Sequence, residues 1–196
     1  MKKNTSYSLI TLLSLVLSTF SFISINSYAA DKVEDSYAQT VKRMLQHRPE
    51  FSMLDIEGNI RTNTEWDGDV VVLNFWATWC PPCVREIPMF TKVQKEFADK
   101  GLQFVGVAVD DPQAVERFMK RVEINYPILV NDVDGITLAK KFGNRIGALP
   151  FTAIINRAGD IVFKRPGELH EMQLKRIIMP LLKEKAPAKE EKEKAV

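Results

Sequence analysis

Cysteine and histidine are scarce in this chain: 196 residues contain two of each. The histidines, His47 and His170, show no ligand-pair spacing, and a closed zinc site needs four ligands, which argues against a zinc module. Charge of one sign is lacking as well. Lys and Arg number 27 against 25 Asp and Glu, which speaks against nucleic acid as a partner. No phosphate loop, serine triad or nucleotide fingerprint occurs, so nothing in the sequence calls for a cofactor or a metal. Asp110 and Asp111 find no third ligand and read as a capped turn before Pro112. Long apolar runs are absent apart from residues 8–25, and no cysteine follows that run, which excludes a lipid anchor there. What remains has 45% hydrophobic residues, ordinary for one domain with a real core.

The two ends of the chain differ from that ordinary middle. Lys2 and Lys3 precede an apolar, Ser/Thr-rich stretch over 9–25, and Ser27 and Ala29 supply small residues for cleavage after Ala29. Residues 1–29 therefore read as an export signal, with an uncleaved anchor as the alternative, because 8–25 approaches the ~18 residues a spanning helix needs. Export places the chain in an oxidising compartment, periplasmic or otherwise extracytoplasmic, where a dithiol oxidises unless something reduces it. Loss of Lys2 and Lys3 would bring the formal charge from +2 to zero. Residues 184–196 alternate Lys and Glu with Ala and Pro and read as a solvated tail.

Between the ends, an amphipathic helix is expected over 33–45, within an N-terminal extension of 30–50 that stops at Pro49. That segment could dimerise or pack on its own domain, so the oligomeric state is left open. A small hairpin is expected over 51–61, turning at Glu57-Gly58-Asn59. Residues 70–76 form a nearly continuous apolar run, the pattern of a strand buried on both faces. A helix over 81–99, interrupted by Pro88, leads to a second buried strand over 102–109, which implies a right-handed crossover and a parallel pair. Helices are expected over 112–122, 136–142 and 168–183, a short strand over 128–130, and a hairpin over 151–164. The sum is an α/β mixed sheet with helices on both faces.

The only cysteines, Cys80 and Cys83, lie in Trp79-Cys80-Pro81-Pro82-Cys83 directly after the first buried strand. A four-residue closed loop stabilises by only about 2 kcal/mol, so the pair's value is chemical rather than structural. Two thiols two residues apart at the start of a helix can form, break and exchange one disulfide.

The stretch Phe75-Trp76-Ala77-Thr78-Trp79-Cys80-Pro81-Pro82-Cys83, with Glu86, Pro88, Val105-Gly106-Val107-Ala108-Val109-Asp110 and Gly147-Ala148-Leu149-Pro150, resembles the thioredoxin fold. Within that fold it resembles the TlpA/ResA-type exported thiol-disulfide reductases, over about residues 51–183. The resemblance implies a protein disulfide reductase whose Cys80/Cys83 pair passes two electrons to disulfides in other exported proteins. Haem-binding cysteines of apocytochrome c or oxidised copper-site cysteines are clients of that kind, and a membrane thiol donor would restore the dithiol. The alternatives are an oxidant or isomerase of the same fold, and a copper-delivery protein using both thiolates as soft ligands. Nothing resembles a peroxidatic Thr-x-x-Cys motif.

Cys80 is expected at the helix N-terminus with its sulfur exposed, where free N–H groups favour a thiolate, which makes it the nucleophile. Cys83, one turn on, is then the resolving thiol. Pro81 and Pro82 remove donors near the sulfurs, stiffen the first turn and would lie against a bound client. The resemblance makes Leu149-Pro150 a cis pair facing the dithiol, with the Leu149 backbone pairing with an extended substrate, where the residues alone read as a turn. It likewise makes Glu86 an active-site carboxylate that shuttles a thiol proton, where the bare residue reads as a solvated helix glutamate. Asn74 stands where thioredoxin has a buried Asp. Trp76 is expected as core or site wall, and Trp79 as an apolar docking surface.

Overall fold

A computed structural model describes residues 46–185. The export signal, the helix expected over 33–45 and residues 186–196 lie outside the described residues.

The described residues begin with strand β1 (Gln46–His47), followed by the hairpin β2 (Ser52–Leu54) and β3 (Ile60–Thr62). Residues 46–47 correct the expected extension of 30–50 as helical. They pair antiparallel with Ile161 and Asp160, and Arg48 N–H donates to the Gly159 carbonyl at 2.9 Å, so an open sheet edge outweighs local helical periodicity. The hairpin forms as expected, in register Ser52 with Thr62 and Leu54 with Ile60.

Strand β4 (Val70–Trp76) is buried at every position, as a central strand covered on both faces must be. It leads into helix α1 (Pro81–Phe97), which continues through Pro88, and a short 3-10 turn over Ala98–Lys100 follows. Gly101, at φ 78°, ends that turn in the left-handed conformation glycine adopts without a Cβ clash. Strand β5 (Leu102–Ala108) then returns parallel to β4, in register from Val70 with Leu102 to Trp76 with Ala108. Helix α2 (Pro112–Met119) is shorter than expected, strand β6 (Ile128–Val130) runs parallel to β5, and helix α3 (Asp132–Lys141) starts early because Asn131 caps Asp134 N–H at 2.9 Å. The hairpin β7 (Phe151–Ile155) and β8 (Asp160–Pro166) precedes helix α4 (Glu171–Lys183).

Among the described residues these strands form a six-stranded sheet of order β1-β8-β7-β4-β5-β6, with β7 antiparallel to β4. Alternation along β4 splits the core in two. Val70, Val72 and Trp76 join the apolar residues of α1 and α4, including Ile87, Phe90, Leu174 and Ile178. Val71, Leu73 and Phe75 join Leu138 and Phe142 from and beside α3, so helices cover both faces. Because β7 starts at Phe151 opposite Phe75, the segment before it reaches the same sheet end at which β4 passes into the cysteine turn.

Candidate active site

The cysteine turn is short and held at both ends. Cys80 N–H donates to the Ala77 carbonyl at 3.2 Å, and Asp110, two residues past β5, accepts from Thr78 N–H at 2.8 Å and from its hydroxyl at 2.6 Å. Asp111 caps α2 by accepting from Ala114 N–H at 3.0 Å, the capped turn the sequence predicts, whereas Asp110 serves the cysteine turn instead. Cys80 is the N-cap of α1, and the prolines occupy the first two helical positions.

That placement reduces the positive end of the helix. Of the first-turn donors, Pro81 and Pro82 have none, and Val84 N–H already bonds the Cys80 carbonyl at 3.1 Å. Only the Cys83 N–H is left to face an anion. The cysteines form a disulfide with Cα atoms 5.3 Å apart. Cys80 is 5% exposed and Cys83 0%, so the expected exposed sulfur is corrected: the small exposure falls on Cys80, which packs with Trp76, Ile87 and Phe118 in the α1-side core.

Glu86, one turn beyond Cys83, points into that core and is 2% exposed. It is no solvated helix glutamate. Its Oε1 accepts from Asn74 Nδ2 at 2.8 Å and its Oε2 from Leu169 N–H at 3.0 Å, while Asn74 Nδ2 also donates to Thr152 Oγ1 at 3.1 Å. Register explains the meeting, since Asn74 and Thr152 are directly paired on β4 and β7. Burial pushes the Glu86 carboxyl up to about 7, against the lowering pull of Leu169 N–H and the Asn74 amide, and the Glu168 carboxylate adds a further upward push. Tyr126 is buried nearby, and its hydroxyl is pushed upward first by burial and then by Glu86.

The peptide bond between Leu149 and Pro150 is cis. Pro150 is buried, its carbonyl accepts from Gly167 N–H at 2.8 Å, and Leu149 packs against both core clusters. Asn144 braces the preceding loop through the Ala148 carbonyl at 2.8 Å and Ala148 N–H at 3.1 Å. Trp79 is 67% exposed, whereas Trp76 is core and packs on Phe118 at 5.3 Å between ring centroids. His170 caps α4, and His47 lies 3.2 Å from Asp160. Among the described residues no cluster of three or more His, Cys, Asp or Glu could hold a metal.

Sequence reasoning missed Thr152, the Leu169 N–H and the anchoring by Asp110. It noticed Asn74 only as a missing aspartate. A polar residue interrupting the apolar run of β4 is the signal that could have marked it as a partner for a buried carboxylate.

Known proteins resemble both the sequence and this geometry. A profile of the AhpC/TSA family matches residues 44–164. The thiol-disulfide oxidoreductase ResA of Halalkalibacterium halodurans is 34% identical over 137 residues, 69% of this chain and 75% of that protein. The ResA of a Bacillus cereus strain is 27% identical over 175 residues, 89% of this chain and 95% of its own. Among solved structures, a thiol:disulfide interchange protein of the thioredoxin family from Chlorobium tepidum TLS superposes with a TM-score of 0.64 at 29% identity, covering 70% of this chain and 97% of that one. The buried carboxylate beside a Cys-x-x-Cys disulfide at a helix N-terminus, on a thioredoxin-like sheet, thus accompanies a clear lineage: the chain belongs to the AhpC/TSA family, as a ResA-type thiol-disulfide oxidoreductase.

Proposed function

We propose that this oxidoreductase works as a reductase of disulfides in other exported proteins. The observation that carries the direction is the stripped helix end. A strong oxidant owes its potential to a stabilised reduced form, chiefly its thiolate. Here Pro81 and Pro82 leave the Cys83 N–H alone to serve that thiolate, Cys80 is 5% exposed, and a carboxylate lies one turn from Cys83. All three features disfavour the thiolate form, and so favour electron donation.

In this reading the Cys80 thiolate attacks one sulfur of the client disulfide, forming a mixed disulfide and releasing the other client sulfur as a thiolate that takes a proton. Cys83 then gives its proton to the Glu86 carboxylate and attacks Cys80, which frees the second client thiol and leaves the Cys80–Cys83 disulfide. Cys83 is fully buried, so a carboxylate titrating near neutrality is a better proton acceptor for it than bulk water. The exposed Trp79 ring, the prolines Pro81 and Pro82, and the Leu149-Pro150 segment would form the bed for an extended client strand. Export through residues 1–29, and a membrane thiol donor that restores the dithiol, complete the cycle.

The test is the equilibrium reduction potential of the protein lacking residues 1–29. A value near or below about −270 mV is expected, and one near the roughly −120 mV of a strong oxidant would reverse the proposed direction.

A further inference from the structure

The outer face of α1 carries a ladder of ion pairs to α4 and the turn before it. Arg85 Nη2 lies 2.6 Å and Arg85 Nε 3.2 Å from Glu168 Oε2. Lys92 meets Glu171 at 3.0 Å, and Lys175 bridges Glu171 at 3.0 Å and Glu96 at 2.7 Å. The α1 members recur at helical spacing, so the rungs lie along one stripe. Only the first rung touches the active site, because both its residues have a neighbour in the buried network. Arg85 precedes Glu86, Glu168 precedes Leu169, and Leu169 N–H donates to Glu86 Oε2 at 3.0 Å. The outer ion pair and the inner hydrogen bond are thus parallel ties between the same two backbone segments.

We propose that the Arg85–Glu168 ion pair staples the Gly167–His170 turn to α1 so that Leu169 N–H stays on Glu86, making Arg85 and Glu168 positioning residues for thiol exchange. The inference rests on the reading of Glu86 as the proton acceptor. The turn depends on such a tie, since it begins at Gly167 with φ 89° and its Leu169 N–H points to a side chain rather than into helix or sheet. Among the described residues the groups acting on Glu86 are few, namely Asn74 from β4, Tyr126 and the Glu168–Leu169 segment, with Cys83 one turn before it on α1. Beyond them stand Arg85 and His170, which act on Glu168.

Charge alone and positioning make different forecasts. Removing Arg85 leaves Glu168 uncompensated and loosens the turn, and both effects raise the Glu86 titration. Removing Glu168 takes away a repelling charge, which lowers it, but also loosens the Leu169 N–H bond, which raises it. The N–H bond is the larger of those two influences on Glu86.

The experiment follows the Glu86 carboxyl carbon by NMR against pH in the oxidised protein, and the pH profile with which Cys83 displaces a small thiol from its mixed disulfide with Cys80. With the staple, Arg85→Gln and Glu168→Gln both shift the Glu86 titration upward by about half a pH unit, the scale of a partly exposed ion pair. Lys92→Gln, which breaks a remote rung of the same ladder, leaves it in place. Opposite shifts for Arg85→Gln and Glu168→Gln, no shift in either, or an equal shift in Lys92→Gln would overturn the staple. Glu86→Gln is the separate control. If the displacement profile is the same in Glu86→Gln as in the unaltered protein, the proton-acceptor reading fails while the NMR titrations still judge the staple.

Discussion

The two faces of the central strand are built from the same material and do different work. Beneath α3, Val71, Leu73 and Phe75 meet Val105, Val107, Leu138 and Phe142 in an apolar cluster. Beneath α1, the alternate residues of β4 place Asn74 between Val72 and Trp76, and the core there holds a carboxylate, an amide, a hydroxyl and the disulfide. The first face shows how little a sheet needs in order to be stable. The second shows that a polar group is tolerated inside only when each hydrogen-bonding atom is met, as Glu86 is by Asn74 and Leu169.

The sharpest way to break this comparison is to strike each face once. Cys80→Ser should abolish turnover of a protein disulfide while costing at most the ~2 kcal/mol of a four-residue loop. Phe75→Ala should do the opposite, lowering stability by about 3–5 kcal/mol in denaturant unfolding with the potential of the folded fraction unchanged. A large stability loss in the first, or an altered potential in the second, would show that the two faces are not separable.

Glu86 sharpens the contrast through pH. Its folded value of about 7 lies above the ordinary glutamate value of 4.5, so the native state holds the proton more tightly than the unfolded chain. Stability from this group is therefore fully present below about 4.5, falls as pH rises toward 7, and is flat above, a loss of roughly 3 kcal/mol. Glu86→Gln removes that slope because an amide does not titrate, and the new amide can still donate to Asn74 once the Asn74 side chain flips and accepts from Thr152 as well. Urea unfolding of both proteins at pH 5 and pH 8 reads it, and a difference that does not change with pH contradicts the assignment.

Gly106 tests how tightly the chemical face is filled. It pairs with Asn74, and a Cβ there would stand 2.6 Å from Ile128 Cδ1 and 3.0 Å from Trp76 Nε1. Gly106→Ala should cost about 1–3 kcal/mol, measured by thermal unfolding, as Ile128 and Trp76 are displaced. The smallest effect on stability is expected at Trp79, which lies outside both faces. Trp79→Ala should change stability by no more than about 0.5 kcal/mol while raising KM for a protein disulfide and leaving exchange with a small-molecule disulfide unchanged.

Much of this was legible in the sequence because it rested on local signals. The apolar run of β4, the prolines opening α1 and the Asn156-to-Asp160 hairpin each carry their own periodicity or turn chemistry, and each lies where it was expected. Helix ends were less legible because single capping residues decide them: Asn131 starts α3 early, and α4 begins only at Glu171 because His170 is extended and caps it, its N–H donating to Gln173. β1 was missed because its partner is more than a hundred residues away. The cysteines and Glu86 were found from spacing and resemblance, but the Leu169 N–H that bonds Glu86, and the Thr152 hydroxyl that bonds its partner Asn74, come from far along the chain and have no mark in the neighbouring sequence.

That distance has a consequence for the newborn chain. Cys80, Cys83, Glu86 and its partner Asn74 all emerge early, yet the Leu169 N–H that also holds Glu86, and the Thr152 hydroxyl behind Asn74, come late, and α4 seals the core behind them. Until the last third of the polypeptide has been made and docked, the two thiols sit on an ordinary flexible segment beside an ordinary acidic side chain. Maturation of the carboxylate is thus tied to completion of the chain, and an unfinished molecule carries the cysteines without the environment that tunes them.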